Sequence, residues 1–255
     1  MRLHVHEWGE PGAPGVVCLH GVQAHGRRFR RLAEERLSGH FHVLAPDLRG
    51  HGFSGWERPW SIETHLADLT ETFSAPAAWI GHSFGGRLVL DLAARRPDLV
   101  ERAVLLDPAI VVPLDYAHML ANEELAGDHS FATVAEAVEE TFAGLLRHPT
   151  SLREEDVREH LVRGDDGRYR FHYSPEAVAA AYVELAQVPA PLGVARVPTL
   201  VVAATQSKFV SLGEAELLQA ALGDLFHAVV VPGGHMVLWD AFEETAAAIE
   251  SFLTT

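Results

Sequence analysis

The sequence predicts an α/β fold, a mostly parallel β-sheet with helices on both faces, interrupted once by a helical insertion. Three observations carry this reading. Short apolar runs alternate with longer helical patterns along most of the chain, which is the pattern of parallel strands joined by crossover helices. The alternation stops near Pro113 and resumes after about Leu192. At one strand-to-helix junction a serine stands between glycines, in Gly81-His82-Ser83-Phe84-Gly85.

The elements follow in order. Leu3 to Trp8 alternates apolar and polar as a first strand, and the Pro- and Gly-rich stretch Glu10 to Gly15 is a turn. Gly15 to His20 is a buried strand. Arg27 to Leu37 reads as a polar helix with apolar points at Phe29, Leu32 and Leu37. Phe41 to Pro46 is the next strand and Ile62 to Phe73 a helix. Ala77 to Gly81 is a strand, followed by a helix from Phe84 to Arg95 that Pro97 stops. Val100 to Leu106 is a further strand. From Pro113 the chain is expected to be helical without intervening strands. Val134, Val138, Phe142 and Leu145 share one helix face. Ser174-Pro175 starts another helix, serine as N-cap and proline at the first helical position, with Val178, Tyr182 and Leu185 on its apolar face. Strand and helix then alternate again: Thr199 to Ala203, Glu214 to Leu222, Phe226 to Val231, and a closing helix from Ala241 to Leu253. The expected division is a core of residues 1–112 and 193–255 with an insertion, or lid, at 113–192.

A chain of 255 residues suits one such core plus an insertion. The formal net charge of -15 argues against nucleic acid or an anionic membrane surface as the main partner, because both require positive charge. The single cysteine, Cys18, excludes an internal disulfide and sits in the apolar run Val16-Val17-Cys18-Leu19, where a buried strand residue is expected. No run is long and apolar enough to span a bilayer, and the N-terminus alternates instead of reading as a signal peptide. A cytoplasmic protein, monomeric or homodimeric, is expected.

The glycine-flanked serine has a specific physical meaning. A serine on a tight strand-to-helix turn is held in a strained backbone conformation, and the residues two before and two after it are crowded. Gly81 and Gly85 meet that demand. The turn projects the Ser83 hydroxyl above the sheet and puts the Phe84 N–H at a helix N-terminus, where it can stabilise an oxyanion. His20-Gly21-Val22-Gln23 follows a buried strand, and Gly21 lets the chain turn so that the Val22 N–H aims at the same oxyanion. Gly233-Gly234-His235 follows the last strand. A base for Ser83 must come from a loop on the same edge of the sheet, and His235 is so placed. With sixteen histidines in the chain, position decides. His4, His6, His25, His40, His118 and His160 read as solvated or packed, and His82 as packed within the turn. Neither a zinc-binding spacing nor a dinucleotide or phosphate loop is present.

Taken in chain order, these features resemble the α/β-hydrolase superfamily over nearly the whole length. They are the strand with His20-Gly21, the stretch Asp47-Leu48-Arg49-Gly50-His51-Gly52-Phe53-Ser54, the turn from Gly81 to Gly86, and Gly234-His235. The Asp47 to Ser54 stretch is similar to a turn of the esterase, epoxide-hydrolase and C–C hydrolase branch. The resemblance implies a mostly parallel eight-stranded sheet with a helical cap after the sixth strand. The family's first strand is shortened or absent here, which leaves seven as the alternative. Serine at the nucleophile position separates the chain from the dehalogenase and epoxide-hydrolase branches, which carry aspartate there.

The resemblance also exposes a departure. The family often takes its catalytic acid from the loop after the seventh strand. Here that loop reads Ala203-Ala204-Thr205-Gln206-Ser207-Lys208-Phe209, with Ser207 or Lys208 in the acid's place. Some members take the acid from the end of the sixth strand, which makes Asp107 the candidate. An aspartate before proline also commonly caps a turn. Glu214 and Asp240 are poorer candidates, Asp240 most simply capping the closing helix. The expectation is therefore a carboxylic ester hydrolase needing no cofactor or metal, with Ser83 as nucleophile, His235 as base and Asp107 as acid. Val22 and Phe84 N–H groups form the oxyanion hole. Gly21, Phe53, Trp56 and Met236 line an apolar pocket for a small or medium acyl or aryl ester. A lactonase, a C–C bond hydrolase, or a receptor lacking the usual acid remain as alternatives.

Overall fold

The computed structural model describes residues 1–141, 150–191, 196–209 and 212–255. The chain opens with β1 (Val5–Trp8) and the apolar β2 (Gly15–Leu19). The stretch from Gly26 to Leu37 is helical throughout but changes winding. It is 3-10 over Gly26–Phe29, α over α1 (Arg30–Leu32) and π over Ala33–Leu37. β3 (His42–Pro46) and α2 (Ile62–Thr72) follow, α2 being capped by Ser61, whose side chain accepts the Thr64 N–H. Next come β4 (Ala77–His82), α3 (Phe84–Arg95) and β5 (Val100–Leu106).

The segment expected to be an insertion then carries α4 (Leu114–Ala126), β6 (Ser130–Phe131), α5 (Val134–Thr141), α6 (Thr150–His160), β7 (Leu161–Arg163), β8 (Tyr169–Phe171) and α7 (Pro175–Glu184). The three short strands form their own antiparallel sheet in the order β6-β8-β7, so the insertion is not purely helical as expected. Ser174 caps α7 through the Ala177 N–H, as its sequence predicts. Phe142, Leu145 and the boundary residue Leu192 lie outside the described residues. The chain returns with β9 (Thr199–Ala204), α8 (Leu212–Leu222), β10 (Phe226–Val231), the short α9 (Val237–Asp240) and α10 (Phe242–Thr254).

Among the described residues the main sheet has seven strands, not eight, in the order β1-β3-β2-β4-β5-β9-β10. Only β1 runs antiparallel, with Val5 opposite Pro46. The other pairs are parallel, in registers such as Val16 with Ala78, Ile80 with Val104 and Leu105 with Val201. Alternate strand residues feed two apolar cores, because neighbouring side chains on a strand leave opposite faces. Val17, Leu19, Trp79, Leu105 and Val201 pack against α2, α3 and α8. Val16, Cys18, Ile80, Val104 and Val202 pack against the Gly26–Leu37 stretch and α10. Cys18 is buried there, and burial pushes its thiol pKa up, away from nucleophilic chemistry. No described helix is long and apolar enough to cross a membrane.

Because the strands are parallel, their C-terminal ends share one edge. β2 has β3 on one side and β4 on the other, so the chain direction reverses there and opens a crevice above the sheet.

Candidate active site

Ser83 stands between β4 and α3 with φ 54° and ψ -116°, a conformation that a side-chain-bearing residue rarely adopts. Its backbone is held on both sides. Ser83 N–H donates to Leu106 O at 3.1 Å, and Ser83 O accepts from Gly86 N–H at 3.0 Å and Arg87 N–H at 3.2 Å. The flanking glycines answer real crowding. A Cβ on Gly81 would lie 2.3 Å from Gly85 O, and one on Gly85 would lie 2.2 Å from Leu19 O. The second glycine is thus required less by the first than by the end of β2. Phe84 is the first residue of α3, so its N–H has no acceptor within the helix.

The loop after β2 passes directly beside the serine. A Cβ on Gly21 would meet Ser83 Cβ at 3.3 Å. Two buried histidines pin this loop by its carbonyls. His20 Nδ1–H donates to Gly21 O at 2.7 Å while its Nε2 accepts the Leu48 N–H at 2.9 Å. His51 Nε2 donates to Val22 O at 2.5 Å. Burial holds both imidazoles below the usual histidine pKa and so uncharged. Their positions were visible in the sequence, but their role as loop anchors was not.

His235 lies between β10 and α9. Its Nδ1–H donates to Asp107 Oδ2 at 2.7 Å. Its ring packs beside those of Phe209, 4.4 Å away, and His82, 4.7 Å away. His82 Nε2 donates to the His235 carbonyl at 2.9 Å. Burial, and then the proximity of His235, keep the His82 pKa well below the usual range. Gly233 has φ 109°, and Gly234 N–H donates to Asp240 Oδ2 at 2.8 Å. Asp240 therefore shapes the histidine loop. It does not cap the closing helix, whose N-cap is Ala241 with no side-chain bond.

Asp107 follows β5, fully buried, with φ 39°. Its backbone N–H donates to Val202 O at 2.8 Å. Oδ1 accepts from Ala204 N–H at 3.0 Å, and Oδ2 accepts from Ser207 Oγ at 2.9 Å as well as from His235. The loop that lacks a carboxylate thus contributes a hydroxyl and a backbone N–H to the carboxylate of the neighbouring strand. Lys208 is exposed.

A cavity of about 440 Å³ opens above Ser83 and His235. Gly21, Val22 and Met236 line it from the core, and Phe131, Phe171, Tyr182 and Leu185 from the insertion. Phe53 and Trp56 lie outside it, contrary to expectation. Phe53 is 67% exposed and Trp56 39% exposed, and both pack beside His172. In the Asp47 to Ser54 turn the other residues are buried and Phe53 is the one directed at solvent. The pocket is also less apolar than expected. Gln23, Arg28, His129 and Tyr173 share its wall. Behind them Glu124 accepts from Gln23 Nε2 at 2.7 Å, and burial raises its pKa. These residues come from separate segments, and no sequence spacing links them.

Comparison with known proteins gives the context. A sequence profile of the α/β-hydrolase fold matches residues 14–242. Lipase LipV of Mycobacterium tuberculosis is 35% identical over 99% of this chain and 98% of its own length. The 2-(acetamidomethylene)succinate hydrolase of Mesorhizobium japonicum is 32% identical over 99% of this chain and 92% of its own. The crystal structure of E-2-(acetamidomethylene)succinate hydrolase superposes with a TM-score of 0.85 at 27% identity, covering 99% of this chain and 95% of that one.

Proposed function

The chain belongs to the α/β-hydrolase fold family, and from that premise we propose that it is a serine hydrolase of carboxylic esters with Ser83, His235 and Asp107 as its triad. The observation that carries the reading is the Asp107–His235 hydrogen bond of 2.7 Å on the strand edge that presents Ser83. Ser83 Oγ attacks the ester carbonyl while His235 Nε2 takes its proton. Asp107 fixes the ring orientation and stabilises the imidazolium. The Val22 and Phe84 N–H groups donate to the oxyanion. The alcohol leaves with the proton held by His235. Water, activated by the same imidazole, then frees the acid and restores Ser83. The chemistry asks for no metal or organic cofactor.

The cavity suits a small or medium acyl or aryl ester, and its polar wall favours substrates that carry a hydrogen-bonding group. Residues 113–192 act as the lid that shapes this cavity, in a cytoplasmic monomer or homodimer. The Asp107–His235 hydrogen bond supports an enzyme over a receptor. Lactones and C–C substrates would meet the same groups. A panel of p-nitrophenyl esters, lactones and vinylogous 1,5-diketones separates the three, and this reading expects the esters to give the highest kcat/KM. Turnover of the diketones alone would reassign the enzyme to C–C cleavage.

A further inference from the structure

The first strand carries chemistry that ester hydrolysis does not use. His4 and His6 are two apart, so in strand geometry both side chains leave one face. The β1–β3 register sets Val5 opposite Pro46, and Asp47 N–H donates to His4 O at 2.9 Å, which brings Asp47 alongside both histidines. One donor atom from each of the three lies within 4.8 Å of the others.

We propose that His4, His6 and Asp47 form a binding site for a divalent transition metal of the zinc class. The donor set is two imidazole nitrogens and a carboxylate, with one side open to water. His6 Nε2 is 3.2 Å from Asp47 Oδ1, close to the roughly 3.4 Å between donors of a tetrahedral zinc shell. To bind, His6 releases its hydrogen bond to Asp47 and carries its proton on Nδ1. His4 must close by up to about 1.4 Å, from within 4.8 Å toward that spacing, to complete the shell. It is exposed, and its ring contacts are the edges of His6 and Phe53. Asp47 is buried and already oriented, Oδ1 accepting from Gly26 N–H at 2.8 Å and Oδ2 from Phe53 N–H at 3.0 Å. Such outer bonds fix a ligand in place and are half of a working site. The ligands run from buried Asp47 to exposed His4, which gives the ion a path from solvent. The site shares no residue with the triad. The bound ion would tie β1 to the Asp47 to Ser54 turn.

The test uses the full chain without an affinity tag. Competition for Zn²⁺ against a chromogenic chelator should show one equivalent that His4→Ala removes or weakens by at least about tenfold. His40→Ala, also at an exposed histidine, should leave it unchanged. His6→Gln, which keeps a donor toward Asp47, should lose the same equivalent. Zn²⁺ at about a hundredfold excess over its Kd should raise Tm by about 5 °C in the wild type, and not in His4→Ala. Metal-free His4→Ala should melt and hydrolyse esters like the wild type. Absence of a bound equivalent, or an equivalent that survives His4→Ala, overturns the proposal.

Discussion

The core strands and the insertion contribute to the site in different ways, and they are held together by different forces. Every group proposed to react stands at the end of a core strand, positioned by backbone hydrogen bonds and by the two apolar cores. The insertion contributes pocket wall. Its α4 and α7 merge with the core through Ala117, Ala181 and Leu185. Among the described residues of its other half, α5, α6 and the small sheet, the buried core is Phe131, Ala137 and Val157, with Val138, Leu161, Tyr169 and Phe171 packed against it. That half meets the Gly26–Leu37 stretch through charge: Arg27 with Glu159 at 2.6 Å, Arg28 with Asp156 at 2.9 Å, and Arg30 with Glu155 and Glu159. The stacked rings of His25 and His160 lie beside these pairs. Ion pairs respond to salt far more than packed cores do. The lesson is that core substitutions should change the chemical step, whereas insertion substitutions should change substrate binding.

The largest expected effect is that of Ser83→Ala. It should lower kcat by roughly 10⁴- to 10⁶-fold at unchanged Tm, checked by steady-state kinetics and thermal melts. Next is Asp107→Asn, which should keep KM and cost up to about 10⁴ in kcat, because the amide cannot stabilise the imidazolium. A large KM change with kcat intact would place Asp107 outside the chemistry.

The third expectation concerns pH and stability. Burial keeps His20, His51, His82 and His160 below their ordinary pKa and holds His65 at about 3. These groups stay neutral in the native state but protonate in the unfolded chain near pH 6.5. Their stabilisation is complete above that pH and is lost as pH falls below it. Each depressed group contributes a slope of up to about 1.4 kcal/mol per pH unit. Denaturation at pH 7 and pH 5 should show a marked loss at the lower pH; equal midpoints would contradict the neutral assignment.

Two smaller effects sharpen the division between core and insertion. Ser207→Ala removes one hydrogen bond to Asp107 and should lower kcat about fivefold to tenfold, a cost of about 1 kcal/mol. Asp156→Asn should raise KM about threefold and leave kcat within about twofold, because Asp156 holds the wall residue Arg28 and touches none of the reacting groups.

Legibility in the sequence followed the same division. The bounds of α3, β5 and β10 coincide with their sequence-predicted ranges, because strong apolar patterning and punctuating residues define them. The strands β6, β7 and β8 have two or three residues each, too few for any periodicity to register. The Gly26–Leu37 stretch shows helical spacing, but spacing does not reveal a change of winding. In the proposed site, Ser83 and His235 each lie in a local motif that the sequence displays, whereas Asp107 is singled out only by the family resemblance and its place at a strand end. The hydroxyl of Ser207 on that carboxylate is not, since 100 residues of sequence separate the two. Phe53 and Trp56 were misplaced because an apolar residue near a motif carries no mark of which way it points.

The central claim is that Ser83 is activated by a His235 imidazole held by Asp107. Fluorophosphonate labelling tests it most directly, since the reagent reacts with an activated serine and needs no knowledge of the substrate. The account predicts a single adduct, mapped by peptide mass to Ser83, formed rapidly in the wild type, much more slowly in Asp107→Asn, and absent in Ser83→Ala. An adduct at another residue, or equal labelling rates in the wild type and Asp107→Asn, would contradict it.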